Sequence, residues 1–210
     1  MSAKLKMKNL QIDKNKILLI LDLDETLIHA TKEDIGYSPD FMVFDYNVYK
    51  RPYVTDFLSN LSQDFYLALW STASENYIDR MISEIAPLGF KFEFVWGQTK
   101  ATYKRVINVD QYNYEDFSEF QYIKRLKKVK SLGFRLEKTL MVDDTPHKVR
   151  ENYGNAIYIK EFKGNLNDNE LFYLEKYLKS IKDLENVRIV EKRNWRKEIQ
   201  KIKPNPGNSI

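Results

Sequence analysis

Residues 17–26 read Ile-Leu-Leu-Ile-Leu-Asp-Leu-Asp-Glu-Thr, an apolar segment that ends in a polar one. Its first five residues form an unbroken apolar run, which is typical of a short strand buried on both faces of a parallel sheet. Two acidic residues, Asp22 and Asp24, follow where such a strand would end. In open α/β sheets the ligand site lies beyond the carboxyl ends of the strands. The stretch therefore predicts a central strand that delivers two carboxylates to a functional site.

Three further apolar runs have the same character, and helical patterns separate them. The runs are residues 65–70, 139–142 and 156–159. We predict helices from Pro52 to about Leu61, from Ser74 to about Ile85, over residues 120–132 and over residues 168–181. Strands that alternate with helices predict an α/β fold with a mostly parallel central sheet and helices on both sides.

Polar residues also follow the second and third apolar runs. Ser71 and Thr72 come after the second run, and Asp143 and Asp144 come after the third. Together with the first pair, four carboxylates would meet at one edge, where they would raise one another's pKa unless a cation offset their charge. The chain has no Cys and two His, so its ligands are oxygens, the donors that Mg²⁺ prefers. The sequence therefore predicts a magnesium site.

Such a site suits phosphoryl chemistry, because Mg²⁺ readily shares phosphate oxygens. An aspartate at a strand end can attack phosphorus and form an aspartyl-phosphate. A second aspartate can give a proton to the leaving oxygen and later take one from water. A hydroxyl and a lysine can hold the remaining phosphoryl oxygens.

The composition excludes several classes of protein and divides the chain. Without Cys there are no disulfides, no thiolate nucleophile and no iron–sulfur cluster. No apolar run reaches the roughly 18–20 residues of a membrane span, so we expect a cytoplasmic protein, or a nuclear one in a eukaryote. The net charge of +4 is uneven, with +4 on residues 1–16, −4 on residues 17–180 and +4 on residues 181–210.

We therefore predict a basic N-terminal segment over residues 1–16, a catalytic domain over residues 17–180 and a basic C-terminal extension over residues 181–210. Because the basic residues lie at the two ends, the charge does not favour a nucleic-acid partner for the whole protein. We expect the C-terminal extension to offer a docking element for an acidic partner.

Around the residues of the predicted magnesium site, the chain resembles the phosphatases of the haloacid dehalogenase superfamily. The closer resemblance is to the branch of small phosphatases that act on the C-terminal domain of RNA polymerase II, the NLI-interacting-factor-like domains. It is carried by LDLDETLIH at 21–29, KRP at 50–52 with Phe57 and Leu58, TAS at 72–74, and VDDTP at 142–146. The resemblance implies the superfamily's Rossmann-like fold, with a small insertion at about 97–120 and no large cap domain.

The resemblance also implies the roles of the central residues. It makes Asp22 the nucleophile and a metal ligand, and Asp24 the general acid and base, with its backbone carbonyl on the metal. Thr72 matches the hydroxyl that binds the phosphoryl group. Ser71 stays open as a rival, since the branch has an aromatic residue in its place.

The remaining roles are implied in the same way. Lys124 matches the lysine that neutralises the nucleophile and the phosphate, with the nearby Lys127, Lys128 and Lys130 left open as alternatives. Asp144 is the implied metal ligand and Asp143 the implied partner of Lys124. Arg51 is left open between a structural ion pair and a contact that supports the phosphate site.

The sequence thus predicts a Mg²⁺-dependent phosphomonoester hydrolase that works through an aspartyl-phosphate, with phosphoserine or phosphothreonine in a protein or peptide as its substrate. The alternatives are the same chemistry on a small-molecule or polynucleotide-end phosphate, and a non-catalytic peptide-binding module. The short insertion favours the protein substrate, because an open site admits a protein segment.

Overall fold

The computed structural model describes residues 13–105, 108–109, 115–116 and 120–201, and it gives residues 108–109, 115–116 and 200–201 by backbone alone. Most of the predicted N-terminal segment, the inner part of the predicted insertion and the end of the predicted C-terminal extension lie outside the described residues. Within the described ranges, every helix is too short or too polar to cross a bilayer.

The described chain alternates strands with helices, as the sequence predicts. The strands are β1 Ile17–Leu21, β2 Ile28–Thr31, β3 Phe41–Val43, β4 Tyr46–Lys50, β5 Phe65–Trp70, β6 Val95–Trp96, β7 Thr102–Arg105, β8 Asn108–Val109, β9 Glu115–Asp116, β10 Phe120–Ile123, β11 Thr139–Asp143 and β12 Ala156–Tyr158. The α-helices are α1 Val54–Asp64, α2 Glu75–Ile85, α3 Pro146–Val149, α4 Glu170–Ser180 and α5 Trp195–Lys201. Short 3₁₀ helices cover Gln98–Lys100, Leu126–Leu132, Leu136–Lys138, Arg150–Asn152 and Val187–Ile189.

The central sheet has five parallel strands in the order β12-β11-β1-β5-β6. Leu21, the last residue of β1, pairs with Leu69 of β5 on one side and with Val142 of β11 on the other. The carboxyl ends of these three strands therefore lie side by side. The predicted α/β fold with a parallel central sheet is confirmed.

The two faces of the sheet support two apolar clusters. Ile17, Leu19 and Leu21 of β1 belong to the larger cluster, together with residues of α1, α2 and α4. Leu18 and Ile20 belong to the smaller one, together with residues of the 3₁₀ helix Leu126–Leu132. This alternation explains why the strand had to be apolar at every position.

Two of the predicted helices differ from the structure. The helix predicted from Pro52 begins at Val54, because Tyr53 adopts a left-handed φ of 70° that no α-helix contains. The helix predicted over residues 120–132 is wrong: its first part is strand β10, and only Leu126–Leu132 is helical, as a 3₁₀ helix. The three-residue spacing of its apolar positions matches the 3₁₀ period rather than the α-helical one.

Two small antiparallel units accompany the central sheet. Strands β2, β4 and β3 form a three-stranded sheet between Asp24 and α1, which the sequence analysis missed. Strands β7 and β10 form a ladder at the borders of the predicted insertion, and β8 pairs with β9 inside it. The β7–β10 ladder positions the site, because Lys124 directly follows β10.

The described residues beyond residue 180 pack against the domain. The Trp195 indole is buried, and its Nε1 donates to the carbonyl of Tyr158 at 3.0 Å. Val187 and Ile199 belong to the larger apolar cluster. Packing is therefore continuous across residue 180, and the domain division made from the sequence stays a prediction.

Candidate active site

The side chains that the sequence singles out converge at one edge of the central sheet. Asp22 follows β1, Ser71 follows β5 and Asp143 is the last residue of β11. The Asp22 amide donates to the carbonyl of Val142 at 3.0 Å, so the chain leaves β1 still attached to its neighbour. All three site side chains are buried.

Lys124 is fully buried between two of these strand ends. Its Nζ lies 2.6 Å from Oδ1 of Asp22 and 2.7 Å from Oδ2 of Asp143. Its backbone is held as well, because its amide donates to the Lys148 carbonyl at 2.8 Å and its carbonyl accepts from Asn152 at 2.7 Å. The structure thus brings Lys124 into the site, whereas Lys127 and Lys130 are exposed and Lys128 donates to the Lys100 carbonyl.

Two lysines, Lys124 and Lys148, keep Asp22 ionised. Burial by itself would raise the pKa of Asp22, but the ammonium groups of Lys124 and Lys148 outweigh it, so its pKa lies below the ordinary value of 3.8. A nucleophilic carboxylate needs this ionised form.

The neighbouring carboxylates are shifted in the opposite direction. Burial and then the charge of Asp22 raise the pKa of Asp143 to about 6, against the pull of Lys124. The same two causes raise the pKa of Asp144. The site therefore holds more negative charge than its lysines offset, and this excess favours a bound cation.

The residues present fit a hard divalent cation. Asp22, Asp143 and Asp144 each offer a carboxylate oxygen within 4.8 Å of the others. Oδ2 of Asp22 and Oδ1 of Asp144 are buried and have no hydrogen-bond partner among the described residues. Both oxygens of Asp143 are already used, by Lys124 and by the Thr145 amide at 2.9 Å. Asp144 thus has an oxygen left for a metal, and the unpartnered oxygen of Asp22 is left for a metal or for a reacting group.

The Asp24 carboxylate is not part of this trio and is held by two hydroxyl groups. Its Oδ2 accepts from the Ser71 hydroxyl at 3.2 Å, and its Oδ1 accepts from the Tyr77 hydroxyl at 2.6 Å. Burial raises the pKa of Asp24 even though the Tyr77 hydrogen bond lowers it, and a raised pKa suits a proton donor. With its carboxylate held in this way, only its backbone carbonyl is left for the predicted metal contact.

Tyr77 is a site residue that the sequence analysis missed. It lies in the first turn of α2, three residues after Ser74. The signal available in the sequence was its place just downstream of the Thr72-Ala73-Ser74 stretch, on a helix that starts at the site edge.

The two candidate hydroxyls differ in their partners. Ser71 Oγ donates to Asp24 and accepts from the Ala73 amide at 3.0 Å, so it is fully occupied. Across the described ranges, the Thr72 hydroxyl makes no hydrogen bond, and the side chain is half-buried. This arrangement favours Thr72 over Ser71 for a phosphoryl contact, which stays a prediction.

A second lysine, Lys148, was also missed. It lies on α3, two residues after the Asp-Asp-Thr-Pro stretch, and its Nζ is 3.5 Å from Oδ2 of Asp22. Its side chain is 19% exposed, and the surrounding carboxylates, Asp22 first among them, raise its pKa despite its burial.

Arg51 is buried and holds the loop behind the site together. Its guanidinium forms a two-point ion pair with Asp168 at 2.9 Å and donates to the carbonyls of Thr26 at 3.0 Å and Lys160 at 2.9 Å. Of the two roles left open, these contacts favour the structural one.

A groove of about 460 Å³ opens beside Asp24. Its walls include Glu25 and the aromatic rings of Phe44, Tyr46 and Tyr77. Phe44 and Tyr46 come from the small sheet of β2, β3 and β4 and its hairpin, so that unit supplies one wall. The groove connects the Asp24 carboxylate to the surface of the protein.

The family model of the NLI interacting factor-like phosphatases matches residues 17–188 of the chain. This range contains every residue of the site described above. The match confirms the resemblance drawn from the sequence.

The chain is also similar to individual phosphatases. It is 29% identical over 180 residues to the "CTD small phosphatase-like protein 2" of Dictyostelium discoideum. This match covers 82% of the chain and 29% of that protein. It is 27% identical over 182 residues to the human "Carboxy-terminal domain RNA polymerase II polypeptide A small phosphatase 1", covering 83% of this chain and 63% of that protein. The chain thus spans less than two thirds of the length of these relatives.

Among solved structures, the fold is similar to that of Fcp1, an RNA polymerase II CTD phosphatase of fission yeast. The TM-score is 0.52 at 14% sequence identity, and the match covers 89% of this chain and 62% of the solved one. At this identity the likeness concerns the fold.

Proposed function

The chain belongs to the family of NLI interacting factor-like phosphatases, and on that basis we propose that it is a Mg²⁺-dependent phosphomonoester hydrolase. Its substrate is proposed to be phosphoserine or phosphothreonine in a protein. The observation that carries the proposal is the state of Asp22: Lys124 binds its Oδ1, and its Oδ2 is buried without a hydrogen bond. That oxygen is available to attack phosphorus.

In the first step, Oδ2 of Asp22 attacks phosphorus and the bond from phosphorus to the ester oxygen breaks. Asp24 gives its proton to the leaving oxygen, and an aspartyl-phosphate remains on Asp22. In the second step, Asp24 takes a proton from a water molecule that attacks phosphorus, and the bond from phosphorus to Oδ2 of Asp22 breaks. This releases inorganic phosphate and restores both carboxyl groups.

The other residues of the site hold charge and geometry during both steps. Lys124 offsets the nucleophile, while Ser71 and Tyr77 fix the Asp24 carboxylate on the side of the groove. We assign the phosphoryl contact to Thr72. Mg²⁺ would be held by Asp144, by the Asp24 carbonyl and by Oδ1 of Asp22, which has a second lone pair beside its bond to Lys124, and it would supply positive charge to the phosphoryl oxygens.

The open groove supports a protein substrate. It runs from Asp24 to the surface along the aromatic rings of Phe44, Tyr46 and Tyr77, and an extended peptide next to the phosphorylated residue can lie there. The names of the relatives point the same way, since they refer to a polypeptide, the C-terminal domain of RNA polymerase II. Whether this chain shares that substrate is part of the proposal.

An acidic partner for the basic C-terminal extension is not favoured by the contacts found there. Lys182 pairs with Asp64 at 2.8 Å, Lys192 donates to two backbone carbonyls, and Arg193 pairs with Glu191 at 2.5 Å. These charges are used within the chain. The cytoplasmic or nuclear location stays a prediction that cell fractionation would test.

The test is hydrolysis of an aryl phosphate by the wild type with Mg²⁺ and with a chelator, and by Asp22→Asn. We expect turnover that needs Mg²⁺ and that Asp22→Asn abolishes. The exposed Asp79→Asn, on α2, is the matched control and should retain full activity. Metal-independent turnover, or an active Asp22→Asn, would reject the chemistry.

A substrate panel separates the alternatives. It compares phosphopeptides with sugar phosphates, nucleotides and 3′-phosphorylated oligonucleotides at equal concentration. The proposal expects the highest kcat/KM for phosphopeptides. Preference for a sugar phosphate or an oligonucleotide end would keep the chemistry and reject the substrate. A peptide that binds without being hydrolysed would indicate a binding module.

A further inference from the structure

Lys148 brings a second ammonium group to the nucleophile, on the side opposite Lys124. Lys124 occupies Oδ1 of Asp22, whereas Nζ of Lys148 is 3.5 Å from Oδ2, the oxygen left without a hydrogen bond. The two lysines come from different elements, Lys124 from the end of β10 and Lys148 from α3. The structure therefore surrounds one carboxylate with two cations that have different tasks.

The donors of Lys148 are largely unused. The ammonium group of Lys124 donates hydrogen bonds to two carboxylates. That of Lys192, another buried lysine, donates to two backbone carbonyls. For Lys148, the described ranges show one ion pair, at a distance longer than a charge-assisted hydrogen bond, and no hydrogen bond of its Nζ. A mostly buried ammonium group with unused donors suits an anion that arrives with the substrate.

The ammonium group of Lys148 lies next to the space that the phosphoryl group would occupy during the reaction. If Oδ2 of Asp22 is the attacking atom, the phosphoryl oxygens approach the space beside Oδ2, within reach of Nζ of Lys148. Nζ of Lys124 is on the other oxygen, and two of its three donors are already used by Asp22 and Asp143.

We propose that Lys148 is a second phosphate-binding residue, which contacts the phosphoryl oxygens directly while they are transferred to and from Asp22. This inference rests on the proposed phosphatase function and deepens it. With Lys148 on the phosphate, the main role of Lys124 is to hold Asp22 and Asp143 together rather than to bind the phosphate as well.

The charges of the site support this assignment. Asp24 carries a proton when the substrate arrives, so the carboxylates of Asp22, Asp143 and Asp144 face two lysines. With a divalent cation this group has a net charge of about +1, which attracts a phosphate dianion, and without Lys148 it would be neutral. The same lysine repels a metal ion, so its removal should affect the two ligands in opposite directions.

The test measures binding of two probes by calorimetry, inorganic phosphate in the presence of Mg²⁺ and Mg²⁺ alone. In Lys148→Met we expect phosphate affinity to fall by about tenfold to a hundredfold, the value of a hydrogen bond between charged groups. The Mg²⁺ affinity should stay equal or rise. Lys148→Arg, which keeps the charge and the donors, should restore phosphate binding to within about threefold of the wild type.

Lys127→Met is the matched control, because it removes one lysine charge from an exposed position near Lys124. It should leave both affinities unchanged. Thermal unfolding checks that each variant is folded, and Lys148→Gln is measured beside Lys148→Met so that the result does not depend on one replacement.

Two results would overturn the inference while leaving the phosphatase intact. Phosphate affinity within about threefold of the wild type in both Lys148→Met and Lys148→Gln would show that no phosphate contact exists. A parallel loss of Mg²⁺ and phosphate binding would show that Lys148 only arranges the carboxylates. If the wild type itself binds no phosphate in the presence of Mg²⁺, the proposed function fails and this inference fails with it.

Discussion

The ammonium group of Lys124 lies 2.6 Å from Oδ1 of Asp22, a residue 102 positions earlier in the chain, and both side chains are buried. Lys124 also binds Asp143, so one cation joins two neighbouring strand ends. Breaking such a buried pair leaves charges without compensation, which costs more than the pair itself contributes to stability. The link is therefore structural as well as chemical.

We expect Lys124→Met to destabilise the metal-free protein by about 3–5 kcal/mol, because Asp22 and Asp143 lose the cation between them. Turnover of an aryl phosphate with Mg²⁺ should fall by about a hundredfold or more. Urea unfolding in a chelator measures the first effect, and steady-state kinetics measures the second.

Lys127→Met is the control, since that side chain is exposed three residues further along the chain. Its stability and its activity should match those of the wild type. A Lys124→Met protein as stable as this control would contradict the buried link.

The sequence predicted the part of the site that depends on local pattern. An apolar run followed at once by acidic residues marks the end of a buried strand, and this placed Asp22, Asp24 and Asp143 correctly at one edge. Lys124 came from the family resemblance, and its structural setting was predicted incorrectly, as a helix instead of the end of β10.

The residues that were missed depend on tertiary geometry. Tyr77 and Lys148 follow the site motifs closely in the sequence, but whether their side chains reach the site depends on the directions in which α2 and α3 leave the sheet edge. The sheet of β2, β3 and β4 was missed because its strands are short and only partly buried, so neither an apolar run nor a clean alternation marks them.

The hydroxyls of Ser71 and Thr72 can be separated by mutation. Thr72→Ala should weaken binding of inorganic phosphate by about tenfold, since its hydroxyl makes no hydrogen bond within the part of the chain that the structure describes. Ser71→Ala should leave phosphate binding close to that of the wild type and lower kcat, because it removes a hydrogen bond that holds Asp24. The reverse pattern, measured by calorimetry and steady-state kinetics, would assign the phosphoryl contact to Ser71.

Arg51 should matter for stability and not for phosphate. Arg51→Met removes the ion pair with Asp168 and two hydrogen bonds to backbone carbonyls, so we expect a loss of about 3–5 kcal/mol in urea unfolding. Arg150→Met, at an exposed position, controls for the loss of one charge. If the folded Arg51→Met protein bound inorganic phosphate at least tenfold more weakly, a direct phosphate contact would replace the structural assignment.

Glu25 should make the metal-free protein less stable as the pH rises. Burial, followed by the charges of Asp24 and Asp144, raises its pKa from 4.5 to about 7. The folded protein thus holds this proton more tightly than the unfolded chain, and the resulting stability is fully present below pH 4.5 and is lost as the pH rises to about 7.

We therefore expect Glu25→Gln to be more stable than the wild type by about 1 kcal/mol at pH 8, and equally stable at a pH of about 4.5. This expected difference is smaller than the free energy that would correspond to the whole pKa shift of Glu25, because the side chain is 34% exposed and water screens its charge. Urea unfolding in a chelator at both pH values measures the difference, with the exposed Glu33→Gln as control. A Glu25→Gln variant that is less stable at pH 8 would mean that the contact of Glu25 with His29, 3.3 Å away, outweighs the repulsion from Asp24 and Asp144.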